Sequence, residues 1–380
     1  MKKVLFVATV VKTHIMVFHI PYLKWFKENG YETYVCARND YENKDDCVIP
    51  YCDYYYDLPF ERSPIRLNNF KTYKQLKEII DSNGFDIIHC HTPMGGVLTR
   101  LAARNARKKN TTVIYTAHGF HFYKGAPILN WLVYYPVERW LSRLTDILVT
   151  INKEDYKRAQ KFKAKSIEYV PGVGIDTKKI NEIKVNIVKK RNEIGIPKDS
   201  TIVLSVGELN KNKNHETVIR AIAKLNNPDI YYVICGEGQL AIYLRNLAKE
   251  LGISKQVKFL GFRTDIAEII KISNVFAFPS FREGLSLSLM EAMTLGLPVI
   301  CSNIRGNSDL VEHGKGGYLV KPDDIQGFTN AILNLYENST KRKNMGIYNR
   351  SVLKNFDLQN VLEEMGNIYS KSYSRGNTKN

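Results

Sequence analysis

Two glutamates, Glu283 and Glu291, flank the start of a predicted helix in the segment SFREGLSLSLMEAMTLGLPVICS. A short apolar strand, Val275 to Phe278, runs into a loop marked by Pro279, Gly284 and serines. The helix is expected over about Ser286 to Leu295; Gly296 ends it and Pro298 prevents its return. First-turn N–H groups have no partners inside a helix, so they form a ready site for a pyrophosphate. Gly284 has no Cβ, which lets a ligand approach the backbone at Gly284, Leu285 and Ser286. An ionised carboxylate only accepts hydrogen bonds, so vicinal hydroxyls are its natural partners. One glutamate could hold a ribose diol and the other the hydroxyls of a second sugar. Glutamates at this spacing also occur as solvated helix residues. Glu291, however, stands among Leu289, Met290, Ala292 and Met293, where an unpaired carboxylate is out of place. The segment reads as a nucleotide-sugar site.

Other polar residues stand where predicted strands end. His118 closes the strand VIYTAH, Gly207 closes another, and Lys211 and Lys213 follow Gly207 in its loop. Gly261-Phe262-Arg263 and Gly236-x-Gly238 also follow strands, the latter without a full dinucleotide fingerprint. His14, His91 and His121 lie in further loops of the first half. For each, a solvated loop residue or a core histidine is the plainer alternative. His89, Cys90 and His91 lack the usual partners of a metal site. No D-x-D pair is present to hold a divalent cation on a diphosphate, so no metal and no cofactor are expected.

These residues need a scaffold, and strand–helix alternation supplies one twice. In the first half the expected strands are Lys3–Ala8, Glu32–Ala37, Ile87–Cys90, Thr112–Thr116, Asp146–Thr150 and Ile167–Val170. Helices are expected at 20–29, 67–82, 95–105, 128–143 and 153–161. The second half has strands at 202–206, 231–235, 257–260, 275–278, 299–301 and 318–320. Such alternation implies α/β architecture with doubly wound parallel sheets. The expected domains are 1–172 and 201–354, joined by a polar, basic linker over 173–200, with a C-terminal helix at about 355–372. The last residues, SRGNTKN, are expected to be disordered.

The chain has 380 residues, too long for one ordinary core. It has no apolar run long enough to span a membrane. Lys12 and His14 interrupt the apolar start, which reads as a buried strand rather than a signal peptide. Six cysteines without a CxxC pair indicate reduced thiols and a cytoplasmic protein. The formal charge is +17, and residues 101–200 alone carry 20 basic against 9 acidic side chains. A concentrated basic face attracts polyanions: nucleic acid, anionic lipid or phosphate-bearing substrates. No helix-turn-helix, zinc or RNA-binding signature supports nucleic acid as the partner. Phe120, Phe122, Tyr123, Lys124, Trp131, Tyr134, Tyr135, Arg139, Trp140 and Arg143 form an aromatic, basic stretch. Its composition suits peripheral contact with an anionic membrane and a lipid diphosphate; a helix packed on the sheet is the alternative.

E-G-x-x-x-x-x-x-E-A-M-x-x-G-x-P-V-I resembles the retaining glycosyltransferases of family four, which have the GT-B fold. DIIHCHTP, TAHGFHF, YVPGVGID, VGELNKNKNH, CGEGQ and GFRTDI fall in that family's order. THIMVFHIPY, HGFHFYKGAP and REGLSLSLMEAM are most similar to the branch that builds capsule or exopolysaccharide repeat units on a polyprenyl carrier. The resemblance implies two Rossmann-like domains facing across a cleft. It implies a UDP-sugar donor, with UDP-N-acetylhexosamine a candidate, and a polyprenyl-diphosphate-linked saccharide as acceptor. Lys213 matches the family's phosphate lysine, and the usual neighbouring arginine is replaced by Glu208, leaving Lys211 or Arg263 for that contact. Phe262 and Arg263, with Gly207, would frame the nucleotide. His118 would lie beside the donor sugar, with Lys213 and Glu283 completing the catalytic set. His14, His91, His121, Tyr123 and Lys124 are the acceptor candidates on the first domain. A sugar-nucleotide epimerase and a non-catalytic nucleic-acid-binding protein are the rival readings.

Overall fold

The computed structural model describes residues 1–374; the expected disordered end lies, from Arg375 on, outside the described residues. The chain forms two units, Met1–Val173 with the chain from Gln359 on, and Gly174–Leu358.

The first unit holds seven strands: β1 (Lys2–Val10), β2 (Tyr31–Arg38), β3 (Tyr54–Asp57), β4 (Ile87–His91), β5 (Thr112–Ala117), β6 (Ile147–Thr150) and β7 (Ser166–Tyr169). They pair in parallel in the order β3-β2-β1-β4-β5-β6-β7. β1 is buried throughout its apolar run, as a strand covered on both faces must be. β3 was not expected, because its four residues are half-exposed and carry no apolar alternation. Tyr54 on this edge strand stacks on Tyr34 with ring centroids 4.5 Å apart. The C-terminal helix, Leu358–Ser374, places Val361, Met365, Ile368 and Tyr369 in the core beside Val4, Phe6 and Phe26. The helix expected over 95–105 is two helices, Pro93–Ala102 and Arg104–Lys108.

The second unit holds six strands: β8 (Thr201–Val206), β9 (Ile230–Cys235), β10 (Val257–Gly261), β11 (Val275–Phe278), β12 (Val299–Ser302) and β13 (Gly317–Val320). They are parallel in the order β10-β9-β8-β11-β12-β13. The stretch read as a linker contains two helices, Thr177–Glu182 and Ile187–Glu193, capped by Asp176 and Asn186. Its Ile175, Ile194 and Ile196 are buried in this unit's core. The polar composition masked it: these helices are short, and only a few isoleucines anchor them.

Candidate active site

In each sheet the strand order reverses once, between β1 and β4 and between β8 and β11. Open parallel sheets bind ligands beyond the carboxyl ends of such a strand pair.

In the second unit, β8 delivers the loop carrying Gly207 to Lys213, and β11 delivers Pro279 to Glu283. The two loops are tied together. The Phe281 N–H donates to the Asn212 carbonyl at 2.8 Å, and Asn212 Nδ2 donates to the Arg282 carbonyl at 3.0 Å. Asn214, at a left-handed φ of 53° that asparagine tolerates, donates to the carbonyls of Pro279 (3.2 Å) and Pro322 (2.7 Å). Lys213 Nζ thereby sits 2.8 Å from Glu283 Oε1 and 4.7 Å from the Phe278 ring centre. Below the loop, His215 Nδ1 lies 3.1 Å from the Tyr232 hydroxyl. Tyr232 donates to Ser205 at 2.9 Å, and Ser205 to the Ala277 carbonyl at 2.6 Å. Burial pushes the His215 pKa down to about 4, so this brace is neutral.

The helix between the glutamates spans Leu287–Thr294. Ser286 is its N-cap, accepting from the Leu289 N–H at 3.4 Å. Glu291 lies one turn in and is half-buried, and burial pushes its pKa up to about 7. The sequence reading missed Arg305. Its Nε donates to the Glu283 carbonyl at 3.1 Å, and the side chain is buried. Gly306 has φ 77°, and a Cβ there would stand 2.0 Å from the Gly284 oxygen. The available signal was the Arg-Gly pair just after a strand in IRGNSDLV.

Arg263 does not stand free. Its guanidinium binds Asp265 at 2.8 and 2.6 Å and Glu193 at 2.6 Å. Lys190 joins the same acids. Lys211 and Glu208 are exposed, and Phe262 presents three-quarters of its surface to solvent.

In the first unit the corresponding strand ends carry histidines. β1 runs into a π-helical turn, Val11–Ile15, that holds His14; His19 follows it. β4 ends in His91, and His118 follows β5. His91 Nδ1 lies 3.3 Å from His118 Nε2. The His19 and His91 rings are 3.8 Å apart between centroids, and those of His14 and His118 are 4.9 Å apart. Burial pushes the His118 pKa down to about 4 and holds His14, His19 and His91 well below the usual imidazole range. His19 was not among the sequence candidates; the wording THIMVFHIPY contained it without marking it as polar-facing. His89, on the same face of β4, is satisfied by Tyr369 at 2.9 Å and Thr116 at 2.8 Å.

His121 lies elsewhere, stacked on Tyr134 at 4.7 Å. Both line a mainly apolar cavity of about 970 Å³ with Arg62, Arg66 and Arg104. The Lys124 backbone donates to Glu154 at 2.8 Å, leaving its side chain exposed. The aromatic stretch divides. Phe120 and Phe122 are core, and Trp131 turns inward against Phe122 with the Arg158 guanidinium 4.6 Å over it. Of the two tryptophans in this stretch, only Trp140 is exposed. Ile128, Leu129, Leu132, Val133 and Val137 accompany it on the outside of helix Ile128–Leu141. A buried two-pronged pair, Arg100–Glu138 at 2.9 and 3.0 Å, ties this helix to Pro93–Ala102. Among the described residues, no helix is long and apolar enough to cross a membrane.

Residues 3–152 match the Glycosyl transferase 4-like family, and residues 186–352 match Glycosyl transferases group 1. The chain is 41% identical to the putative glycosyltransferase EpsD of Bacillus subtilis, covering 97% of this chain and 96% of that one. It is 29% identical to the UDP-Gal:alpha-D-GlcNAc-diphosphoundecaprenol alpha-1,3-galactosyltransferase of Escherichia coli, over 80% of each. Among solved structures, HepE from Anabaena in complex with UDP and glucose superposes with a TM-score of 0.81 at 19% identity. That match covers 98% of this chain and 100% of HepE.

Proposed function

Because this chain belongs to the group 1 glycosyltransferases, with two parallel-sheet units of the GT-B fold, we propose that it moves a sugar, with retention, from a UDP-sugar to a saccharide on polyprenyl diphosphate. The setting would be bacterial surface-polysaccharide synthesis at the inner face of the cell membrane. The observation that carries this reading is the Lys213–Glu283 pair, 2.8 Å apart beside the Ser286-capped helix. A cation and unpaired helix N–H groups together suit a diphosphate leaving group.

On this reading the second unit takes the donor. Gly284, Leu285 and Ser286 offer backbone to the diphosphate, Glu291 accepts from the ribose diol, and Phe262 offers an exposed face to the base. Lys213, with Lys211 or the buried Arg305 nearby in the chain's second unit, offsets charge on the departing phosphate. No divalent ion is needed for that task. The acceptor hydroxyl attacks the anomeric carbon on the face the diphosphate leaves. The carbon–oxygen bond to UDP breaks as the new one forms, and the hydroxyl proton passes to the leaving phosphate oxygen. His118 serves the sugar as a neutral imidazole.

The first unit takes the acceptor. The apolar cavity beside His121, with Arg62, Arg66 and Arg104, suits the first carbons of a prenyl chain and its diphosphate. The exposed apolar face of Ile128–Leu141, with Arg139 and Arg143, suits an anionic bilayer surface. The name of the Escherichia coli relative, with its diphosphoundecaprenol acceptor, supports the same chemistry.

The test is transfer from a panel of radiolabelled UDP-sugars to undecaprenyl-diphosphate-linked N-acetylglucosamine. One donor should give a lipid-extractable disaccharide with the donor's anomeric configuration. Transfer only to free sugars, or release of a free sugar without any acceptor, would overturn the reading.

A further inference from the structure

We propose that Arg305 is a positioning residue for the donor diphosphate: with Gly306 it aims the Gly284 and Leu285 N–H groups at the phosphates. The proposal rests on the donor reading above. It adds a role separate from any charge that Arg305 lends to the departing phosphate.

The turn after β12 is anchored on its own account. The Asn303 N–H donates to the Val320 carbonyl on β13 at 2.7 Å. Asn307, wholly buried, donates from Nδ2 to the Ser302 carbonyl at 3.0 Å. Between these anchors stand Arg305, 6% exposed, and Gly306 at a left-handed φ of 77°. Both press on the loop that leads into helix Leu287–Thr294. Arg305 Nε donates to the Glu283 carbonyl at 3.1 Å. A Cβ on Gly306 would stand 2.0 Å from the Gly284 oxygen, 2.8 Å from its carbonyl carbon and 3.5 Å from the Leu285 nitrogen. With the oxygen nearest and the nitrogen farthest, the Gly284 carbonyl points at Gly306.

Peptide planarity then fixes the opposite side of each unit. In a trans peptide the C=O and the following N–H point in opposite directions. A Glu283 carbonyl turned toward Arg305 sends the Gly284 N–H away from the turn. A Gly284 carbonyl turned toward Gly306 sends the Leu285 N–H away likewise. Neither N–H has a hydrogen-bond partner among the described residues, and both residues are half-buried. Successive N–H groups aimed one way form a concavity that suits an anion. Glu283 is meanwhile held at both ends, its carboxylate by Lys213 at 2.8 Å and its carbonyl by Arg305. The lysine that meets the leaving phosphate and the backbone that cradles it are thus set by one residue's two contacts. Glycine at 306 is what lets the two backbones approach so closely.

The experiment titrates the full chain with UDP by calorimetry and with uridine by ligand-observed NMR. Arg305→Met puts a methyl group where Nε stood and should weaken UDP by about tenfold or more, the loss expected for one hydrogen bond to a charged group. Uridine affinity should stay unchanged, which also reports a folded site. Arg305→Gln returns a neutral N–H donor at the Nε position without the charge and should recover most of the lost affinity. Gly306→Ala leaves the charge untouched and should show the same UDP-specific loss. Unchanged UDP affinity in Arg305→Met, equal losses for UDP and uridine, or a Gln variant no better than Met would each overturn the positioning role and leave the donor reading standing. An unaltered chain that binds UDP no better than uridine would overturn the donor reading itself, and this inference with it.

Discussion

The two strand reversals place opposite chemistry at equivalent points of the two sheets. Beyond β8 and β11 the charged groups the site turns on have partners, Lys213 with Glu283 and Arg305 with the Glu283 carbonyl, and His215 Nδ1 meets Tyr232. Beyond β1, β4 and β5 four histidines crowd together with several nitrogens unpaired. A paired site is ordered before a ligand arrives. An unpaired buried site costs stability until something fills it. One topology thus yields a charged, preorganised face in one unit and a neutral, unsatisfied one in the other.

Acid should separate the units most strongly. The buried histidines of the first unit have depressed pKa values, about 4 for His118 and about 3 for His89. Their unfolded forms bind protons near 6.5, so this stability is present above 6.5 and lost as pH falls toward 4. Taking the chain from pH 7 to 5 should remove on the order of 3 kcal/mol or more from the first unit. Trp25, Trp131 and Trp140 all lie in that unit, so tryptophan fluorescence during denaturant unfolding reports it. Equal midpoints at the two pH values would break the contrast.

Lys213→Ala tests the charged face. Turnover should fall about 10²–10³-fold, the usual loss for one electrostatic contact in the transition state. Steady-state rates within a few-fold of the unaltered enzyme would remove Lys213 from the reaction.

Glu291 should respond to pH in the opposite sense to the histidines. Its folded pKa of about 7 lies above the ordinary carboxyl value of 4.5. Its contribution is therefore complete below 4.5 and is lost as pH rises through 7. Glu291→Gln should stabilise the second unit at pH 8 by about 1–3 kcal/mol, read by thermal unfolding. Glu291→Ala should weaken UDP binding by roughly 1.5–3 kcal/mol in calorimetry. Unchanged UDP affinity in folded protein would leave Glu291 without its ribose role.

Surface charge should matter less per residue. Reversing Lys108, Lys109, Arg139 and Arg143 to Glu removes contacts worth about 1 kcal/mol each at an anionic surface, screened by salt. Binding to phosphatidylglycerol vesicles should drop while UDP affinity holds; co-sedimentation equal to the unaltered protein at low salt would make the basic face a solubility device. The smallest effect is expected from EDTA, which should not lower transfer on the proposed reading that Lys213 and helix N–H groups carry the diphosphate charge. Strict dependence on added divalent metal would overturn that assignment.

Periodicity and punctuation in the chain determined most of the architecture. Apolar runs such as LFVATVV and IVLSV can only be strands buried on both faces, and helical stretches between them dictate parallel sheets. Glu291 stood out in the sequence because a glutamate amid Leu289, Met290 and Met293 is unusual, and the fold does half-bury it. The edge strand Tyr54–Asp57 and the helices at 177–193 were not legible, because neighbours rather than local pattern hold them. Tertiary structure alone decided which distant side chains meet. The lysine at 213 pairs with the glutamate at 283 across a reversal in strand order, which no local spacing encodes. In the first unit, the reversal between β1 and β4 turned histidines 14, 19, 91 and 118 from scattered loop and strand residues into one cluster. Folding also occupied Arg263, after the edge strand β10, with Asp265 and Glu193, because side-chain partners follow from folded geometry and not from residue type.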